Sequence, residues 1–295
     1  MGLDIARMSL VVRGALMILA LMLVASVAVG CSPDAPPEVP EPQPEPTGPP
    51  EPPEPEATTD VTIYLVRGEG LGVARRTVAE TEAVARAALE ELLAGPTDED
   101  AEAGLATEIP EGTRLNDVSV ADGVATVDLS EEFESGGGSL SMQLRVSQVV
   151  FTLTHFPTVE SVEFMIDGQL VEAIGGEGII VSPPVSRAAF ADNTAPAIFL
   201  ETPAPWQEVS SPLRLTGMSN TFEATFLFEI VDPTGRIVEE DFVTATAGSG
   251  TWGTFDVTIP FEIEREGVGA LIVFEESAKD GSRINLVEIP LRMSE

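Results

Sequence analysis

The residue types that could carry chemistry are scarce in this chain. Among 295 residues there is one cysteine, Cys31, and one histidine, His155. A single cysteine cannot build a disulfide framework or a cysteine-based metal site within one molecule, and no second histidine completes a transition-metal site. We therefore predict that the protein holds no metal and no cofactor. His155 stands beside Phe151 and Phe156 in the sequence, which favours a half-buried structural role.

Three carboxylates, Asp128, Glu131 and Glu132, are close enough in sequence to suggest acid and base catalysis. The run Asp-Leu-Ser-Glu-Glu also suits the end of a strand followed by a turn or a helix start, with Ser130 as the cap. We favour this structural interpretation.

The remaining candidates lack the neighbours that their chemistry requires. The three glycines at 136–138 are not followed by the Lys-Ser/Thr of a phosphate loop, and Ser139 and Ser141 have no frame for nucleophilic catalysis. Trp206 and Trp252 could form a platform for a sugar ring, but a tryptophan in a small β domain usually lies in the core. The sequence therefore predicts no catalytic residues and no enzyme.

Cys31 stands where a lipoprotein signal peptide would be cleaved. Residues 1–30 combine Arg7 and Arg13, an apolar run over 15–29, and small residues before the cysteine. This run is shorter than the ~20 residues of a spanning helix. Acyl chains such as palmitate on Cys31 would anchor the protein. We predict that Cys31 is lipidated and that the chain after it is extracytoplasmic, on the outer face of the cell membrane.

Residues 31–60 are expected to be a disordered linker that carries the folded part away from the membrane. Positions 32–60 hold twelve of the 24 prolines, eight acidic residues and no basic residue. Proline favours an extended backbone, like charges repel, and such a composition cannot bury enough apolar surface to fold.

The net charge excludes one class of partner. Of the total of −34, the leader contributes +1 and residues 32–60 contribute −8, which leaves −27 on the remainder. A surface of that sign repels phosphate backbones and anionic headgroups. We therefore expect no nucleic acid partner, and membrane attachment only through the lipid.

The pattern after residue 60 predicts an α+β domain. Val61–Leu65 alternates as a strand does, 81–94 has helical spacing, and Asp122-Gly123 favours a type I′ hairpin between two strands. Residues 140–156 are compatible with a helix or a strand. Taken as a helix before the strand at 162–166, they complete the order β-α-β-β-α-β, with the helices on one sheet.

Residues 197–295 predict an all-β sandwich. Short apolar runs are separated by turns such as Asp232-Pro-Thr-Gly235 and Asp280-Gly281, at the spacing of an immunoglobulin-like fold. Residues 184–196 are expected to be the linker between the two domains.

Ordered motifs in both parts resemble known families. Residues 61–183 contain LEELLAGP (89–96), TEIPEGT (107–113), VDLSEEF (127–133), QVVFTLTHFP (148–157) and VEFMIDG (162–168). This region resembles the GerMN domain of sporulation and spore germination lipoproteins. Residues 197–295 contain IFLETP (198–203), VSSPLRLTG (209–217), GTWGTF (250–255) and EESAKDG (275–281). This region resembles the immunoglobulin-like Gmad2 domain.

The resemblance implies contact with proteins and no known reaction. We therefore predict a non-enzymatic, lipid-anchored assembly module that binds other envelope proteins. Self-association through the GerMN domain is one alternative. A cell-wall glycan binder, an accessory to an envelope hydrolase, and a lipoprotein partner of an envelope signalling system are others.

Overall fold

The structure, a computed structural model, describes residues 57–176 and 178–294. The leader, Cys31 and most of the proline-rich segment lie outside the described residues, so their lipidation, cleavage and disorder stay predictions. The first strand begins at Thr58, inside the segment assigned to the linker.

The first domain opens with a long hairpin that pairs Thr58 with Ala79 at one end and Arg67 with Gly70 at the other. A short third strand pairs with the first at Val66 and Arg67, which gives a three-stranded sheet of order β2-β1-β3. These strands are β1 (Thr58–Arg67), β2 (Gly70–Ala79) and β3 (Leu105–Ala106).

Three α-helices and a four-stranded sheet follow in this domain. The helix predicted over 81–94 and the hairpin at Asp122-Gly123 are both present, and the ambiguous segment is a helix. Strand β5 runs parallel to β6, and the sheet has the order β4-β5-β6-β7. The elements are α1 (Val84–Ala94), α2 (Asp98–Glu102), β4 (Leu115–Ala121), β5 (Val124–Leu129), α3 (Ser139–Leu153), β6 (Ser161–Ile166) and β7 (Gln169–Leu170).

The two larger sheets of this domain are separate where the sequence predicts a single sheet, because helix α3 takes the place of a neighbouring strand along β1. The backbone N–H of Tyr64 in β1 donates to Thr152 Oγ1 of α3 at 3.1 Å. The carbonyl of Tyr64 accepts from Gln148 Nε2 of α3 at 3.3 Å. Both helix side chains are buried. The backbone N–H and carbonyl of Tyr64 therefore bond to side chains of α3 at this edge of β1, and not to the backbone of a neighbouring strand.

The expected linker 184–196 is folded and packs into the first core. It follows a small hairpin of β8 (Ala173–Ile174) and β9 (Ile179–Ile180), and contains a 3-10 helix, Arg187–Ala189, and helix α4 (Ala191–Thr194). Phe190 and Ala191 are buried in the first hydrophobic core. Burial of these side chains holds the segment against the first domain.

The second domain is a sandwich of two sheets, with orders β10-β12-β15 and β11-β17-β16-β13-β14. The expected fold class, an α+β domain followed by an all-β immunoglobulin-like sandwich, is confirmed. The strands are β10 (Ile198–Thr202), β11 (Glu208–Val209), β12 (Leu213–Ser219), β13 (Thr225–Val231), β14 (Ile237–Thr244), β15 (Gly253–Ile259), β16 (Gly267–Glu276) and β17 (Arg283–Met293).

Strand β10 is shared between two cores. Ile198 and Leu200 belong to the sandwich core, whereas Phe199 belongs to the core of the first domain. Because successive side chains of a strand point to opposite faces, one strand buries apolar surface in both domains. The side chain of Glu201 points to the same face as Phe199.

Candidate functional site

The Arg187 guanidinium makes four hydrogen bonds where the two domains meet. Its Nη1 lies 2.5 Å from Glu201 Oε1 of the second domain. Its Nη2 donates to the Tyr64 hydroxyl and to the Phe151 carbonyl, both at 3.0 Å, and its Nε donates to Thr154 Oγ1 at 2.8 Å. One side chain from the connecting segment therefore binds strand β1, helix α3 and strand β10 together.

Aromatic rings surround this cation. Its guanidinium carbon lies 5.0 Å from the ring centres of both Tyr64 and Phe151, within the range of a cation–π interaction. The Phe199 ring of β10 lies 5.8 Å from each of these rings. Arg187 and Glu201 retain only 23% and 21% exposure of their side chains, which limits screening of the pair by water.

The protonation states of this cluster follow from burial and charge. Burial raises the pKa of the Tyr64 hydroxyl well above its usual value, so the hydroxyl stays protonated and donates to Glu201. Burial alone would raise the pKa of Glu201 as well, but Arg187 and the bond from Tyr64 outweigh it and lower that pKa. Glu201 is thus an anion held by two donors.

His155 belongs to the same cluster. Its Nδ1 lies 3.1 Å from the Tyr64 oxygen, and because the Tyr64 proton points to Glu201, we assign the proton of this contact to Nδ1 of the ring. Burial of the ring lowers the pKa of His155, Glu201 opposes that effect, and Arg187 and Arg75 add to it. The sole histidine thus contacts the junction, the cluster of Arg187, Glu201 and Tyr64 where the two domains meet, but the residue is exposed and not half-buried as expected.

A second contact joins the domains through Trp206. Its indole Nε1 donates to the Glu99 carbonyl at 2.8 Å. Arg292 of β17 pairs with the Glu99 carboxylate at 2.7 Å and lies 5.5 Å from the centre of the Trp206 ring. Trp252 makes a third contact, with its Nε1 2.7 Å from Asp192 Oδ1. The N–H groups of both indoles thus donate to acceptors within the protein.

The acidic group at the end of β5 also has structural partners. Asp128 Oδ1 accepts from the backbone N–H of Gly168 at 3.0 Å, and Glu132 lies 3.4 Å from Arg114. Ser130 Oγ accepts from the backbone N–H of Arg114 and makes no capping bond to the 3-10 helix Glu131–Glu134 that follows. Ser130 is the N-cap residue of this 3-10 helix, as predicted, but its hydroxyl makes no capping bond because it accepts from Arg114, just before β4.

The glycine and serine candidates surround another buried arginine. Arg145 donates to the carbonyls of Ser135 at 3.0 Å and Gly136 at 3.4 Å, which holds the glycine loop by its backbone. Ser141 Oγ donates to Glu108 Oε2 at 2.5 Å, and Ser139 is the first residue of α3.

In the described part of the chain, no group of three or more potential ligands is arranged to hold a metal ion.

A cleft of about 410 Å³ opens beside the junction. Strands β1 and β2 with Leu105 form one wall, and the start of the second domain with β17 forms the other. No feature of the sequence indicates this cleft or Arg187, because their residues come together only when both domains are folded.

Over residues 57–176 and 178–294, no helix has the length and apolar character needed to span a bilayer.

Each of the two domains matches a family model. Residues 62–172 match the family model Germane, described as sporulation and spore germination. Residues 197–282 match Gmad2, described as an immunoglobulin-like domain of bacterial spore germination. The chain thus carries a GerMN-type domain followed by a Gmad2 domain, which confirms the resemblance found in the sequence.

Part of the chain is also similar to individual proteins. The spore germination protein GerM of Bacillus subtilis (strain 168) is 30% identical over 127 residues, which are 42% of this chain and 34% of that protein. This chain thus spans about a third of that relative. The solved first GerMN domain of GerM from Bacillus subtilis is 30% identical, with 44% of this chain and 99% of that one covered and a TM-score of 0.38. The tandem GerMN domains are 21% identical, with 69% and 62% covered and a TM-score of 0.41.

The single histidine makes the electrostatics of the junction directly measurable. We expect an NMR titration of the His155 imidazole to give a pKa below the ordinary value of about 6.5. Because the folded-state pKa is lowered, this contribution to stability is present above about pH 6.5 and is lost as the pH falls below it. Arg75→Met removes a nearby cation and should raise the His155 pKa, whereas Arg114→Met, a change at an arginine that pairs with Glu132, should not. A wild-type pKa above 6.5 would contradict this description.

Proposed function

We propose that this protein is a lipid-anchored, extracytoplasmic envelope protein whose two domains together bind other proteins and catalyse no reaction. Three observations support the proposal. The sequence opens with basic residues, an apolar run and a cysteine, in the order expected of a lipoprotein. The polar groups that could have done chemistry are engaged in the junction or in local hydrogen bonds. The relative named above acts, by its name, in spore germination.

The observation that carries the protein-binding role is the display of Phe222. Its side chain is 68% exposed, in a loop in which the next two residues, Glu223 and Ala224, have φ angles of 51° and 59°. Left-handed backbone at two successive non-glycine residues costs free energy and is concentrated at functional sites.

The surrounding structure fixes this loop. The backbone N–H of Phe222 donates to Glu275 Oε1 at 2.8 Å, and that of Glu223 donates to Ser249 Oγ at 3.0 Å. Glu275 is itself buried and accepts from Asn285 Nδ2 at 2.5 Å. An exposed aromatic side chain on a pre-ordered loop loses little conformational entropy on binding, which suits an anchor for a protein partner.

Membrane attachment is tested by fractionation of cells that express the full chain. The wild-type protein should partition into the detergent phase, and its processed N-terminal peptide should carry the mass of acyl chains on Cys31. Cys31→Ser should move the protein out of that phase, and Ser32→Ala, which keeps the cysteine, should not. Retention of Cys31→Ser in the detergent phase through a lipid would refute the anchor.

Protein binding is tested by photo-crosslinking in intact cells, with a photoreactive phenylalanine analogue in place of Phe222. We expect an adduct with an envelope protein, and none from the same analogue at Val268, which is 55% exposed on β16. An adduct of twice the mass of the chain would assign the loop to self-association. Equal adducts from both positions, or none from position 222, would count against the proposal.

A further inference from the structure

The cleft beside the junction has the dimensions of a small-molecule site. Its volume of about 410 Å³ falls within the range of about 300–1,000 Å³ that is typical of ligand pockets, and domain boundaries are a common location for them. Leu71, Val73 and Leu105 line it from the first domain, and Phe199, Leu200 and Leu286 line it from the second. Both walls are therefore apolar.

Only two charged side chains line this cleft, Arg67 and Glu288. Arg67 Nη2 donates to the backbone carbonyl of Glu288 at 2.7 Å. Among the described residues, no carboxylate lies within 4.0 Å of the Arg67 guanidinium, in contrast to Arg187, Arg283 and Arg292. The Glu288 side chain is exposed and acts on Arg67 only at longer range.

The Arg67 guanidinium has no close anionic partner among the described residues. Burial lowers its pKa and Glu288 opposes that effect, but a guanidinium starts so far above neutral pH that it stays protonated. A partly buried charge without a counter-ion is costly. An anionic group of a ligand would form the charge-assisted bonds that this guanidinium lacks.

The lining favours an alkyl chain over a peptide. A bound peptide brings amide groups that need hydrogen-bond partners when they leave water. Pro196, Pro203 and Pro205 of the cleft have no backbone N–H to offer, and the apolar side chains offer none. A hydrocarbon chain needs no such partners and gains free energy from the apolar area that it buries.

We propose that the interdomain cleft binds a free aliphatic carboxylic acid, with its alkyl chain between the two apolar walls and its carboxylate on Arg67. This role goes beyond the proposed protein binding, because Phe222 is not among the residues that line the cleft. Since the walls belong to both domains, the bound acid also stabilises their contact.

The charge requirement is tested by titration of the purified protein with octanoate, below the concentration at which it forms micelles. We expect saturable binding of one molecule per chain. Arg67→Met should weaken binding at least tenfold, whereas Arg114→Met, which removes an arginine with a 66% exposed side chain, should leave it unchanged. Octan-1-ol has the alkyl chain without the charge, so its weaker binding should not respond to Arg67→Met.

The location is tested by filling the cleft. Leu286 is 50% exposed at its rim, so Leu286→Trp should fold and abolish octanoate binding. Val268→Trp, at another exposed apolar position outside the cleft, should bind as the wild type does. An acetylated Ala-Ala-Leu peptide with a free carboxylate serves as the competing ligand class.

Three results would overturn the proposal. These are no saturable octanoate binding to the wild type, equal affinity in Arg67→Met and the wild type, and binding of the peptide without binding of octanoate. Unchanged octanoate affinity in Leu286→Trp, with a native spectrum, would exclude this cleft as the site.

Discussion

The arrangement of the two domains depends on one partly buried cation, the guanidinium of Arg187. Removing a charge from water costs several kcal/mol unless the charge is paired and its donors are satisfied. Here Glu201 supplies the counter-charge, while Tyr64, Thr154 and the Phe151 carbonyl accept the remaining bonds. Because these partners come from both domains, the charge is satisfied only when the domains are in contact.

The same constraint extends into the core of the first domain. Tyr64 reaches the junction with its hydroxyl, and its own backbone is held by Thr152 and Gln148 of α3. Helix α3 thus fixes both the strand that carries Tyr64 and, through Phe151 and Thr154, the arginine that Tyr64 contacts. Strand β10 extends this coupling to the sandwich, because Phe199 packs in the core of the first domain while Ile198 and Leu200 pack in the core of the second.

Much of the fold is predictable from local patterns. The hairpin at Asp122-Gly123 is specified by two residues that adopt positive φ angles of 51° and 81°, and helix α1 by the spacing of Ala88, Leu89 and Leu92. Strand β2 was not predicted, because Arg75-Arg76 interrupts its apolar alternation. Arg76 nevertheless lies on the strand, where it pairs with Asp100.

The junction was not predictable for a different physical reason. Tyr64 and Glu201 are 137 residues apart, and no periodicity relates them. The segment that contains Arg187 is short and has no periodic pattern, so its sequence is typical of a linker. Only the burial of Phe190 and Ala191 shows that it belongs to the core of the first domain. The structural interpretation of His155 was reached from its aromatic neighbours alone, but its bond to Tyr64 requires the tertiary fold.

The central claim is that Arg187 couples the two domains, and calorimetric unfolding of the purified protein tests it most directly. The wild type should unfold in one cooperative transition. Arg187→Met leaves Glu201 buried without its cation, which should cost about 3 kcal/mol and separate the unfolding of the two domains. Arg214→Met, which breaks an exposed ion pair on the sandwich, should leave a single transition. Two transitions in the wild type, or no change in Arg187→Met, would contradict this account.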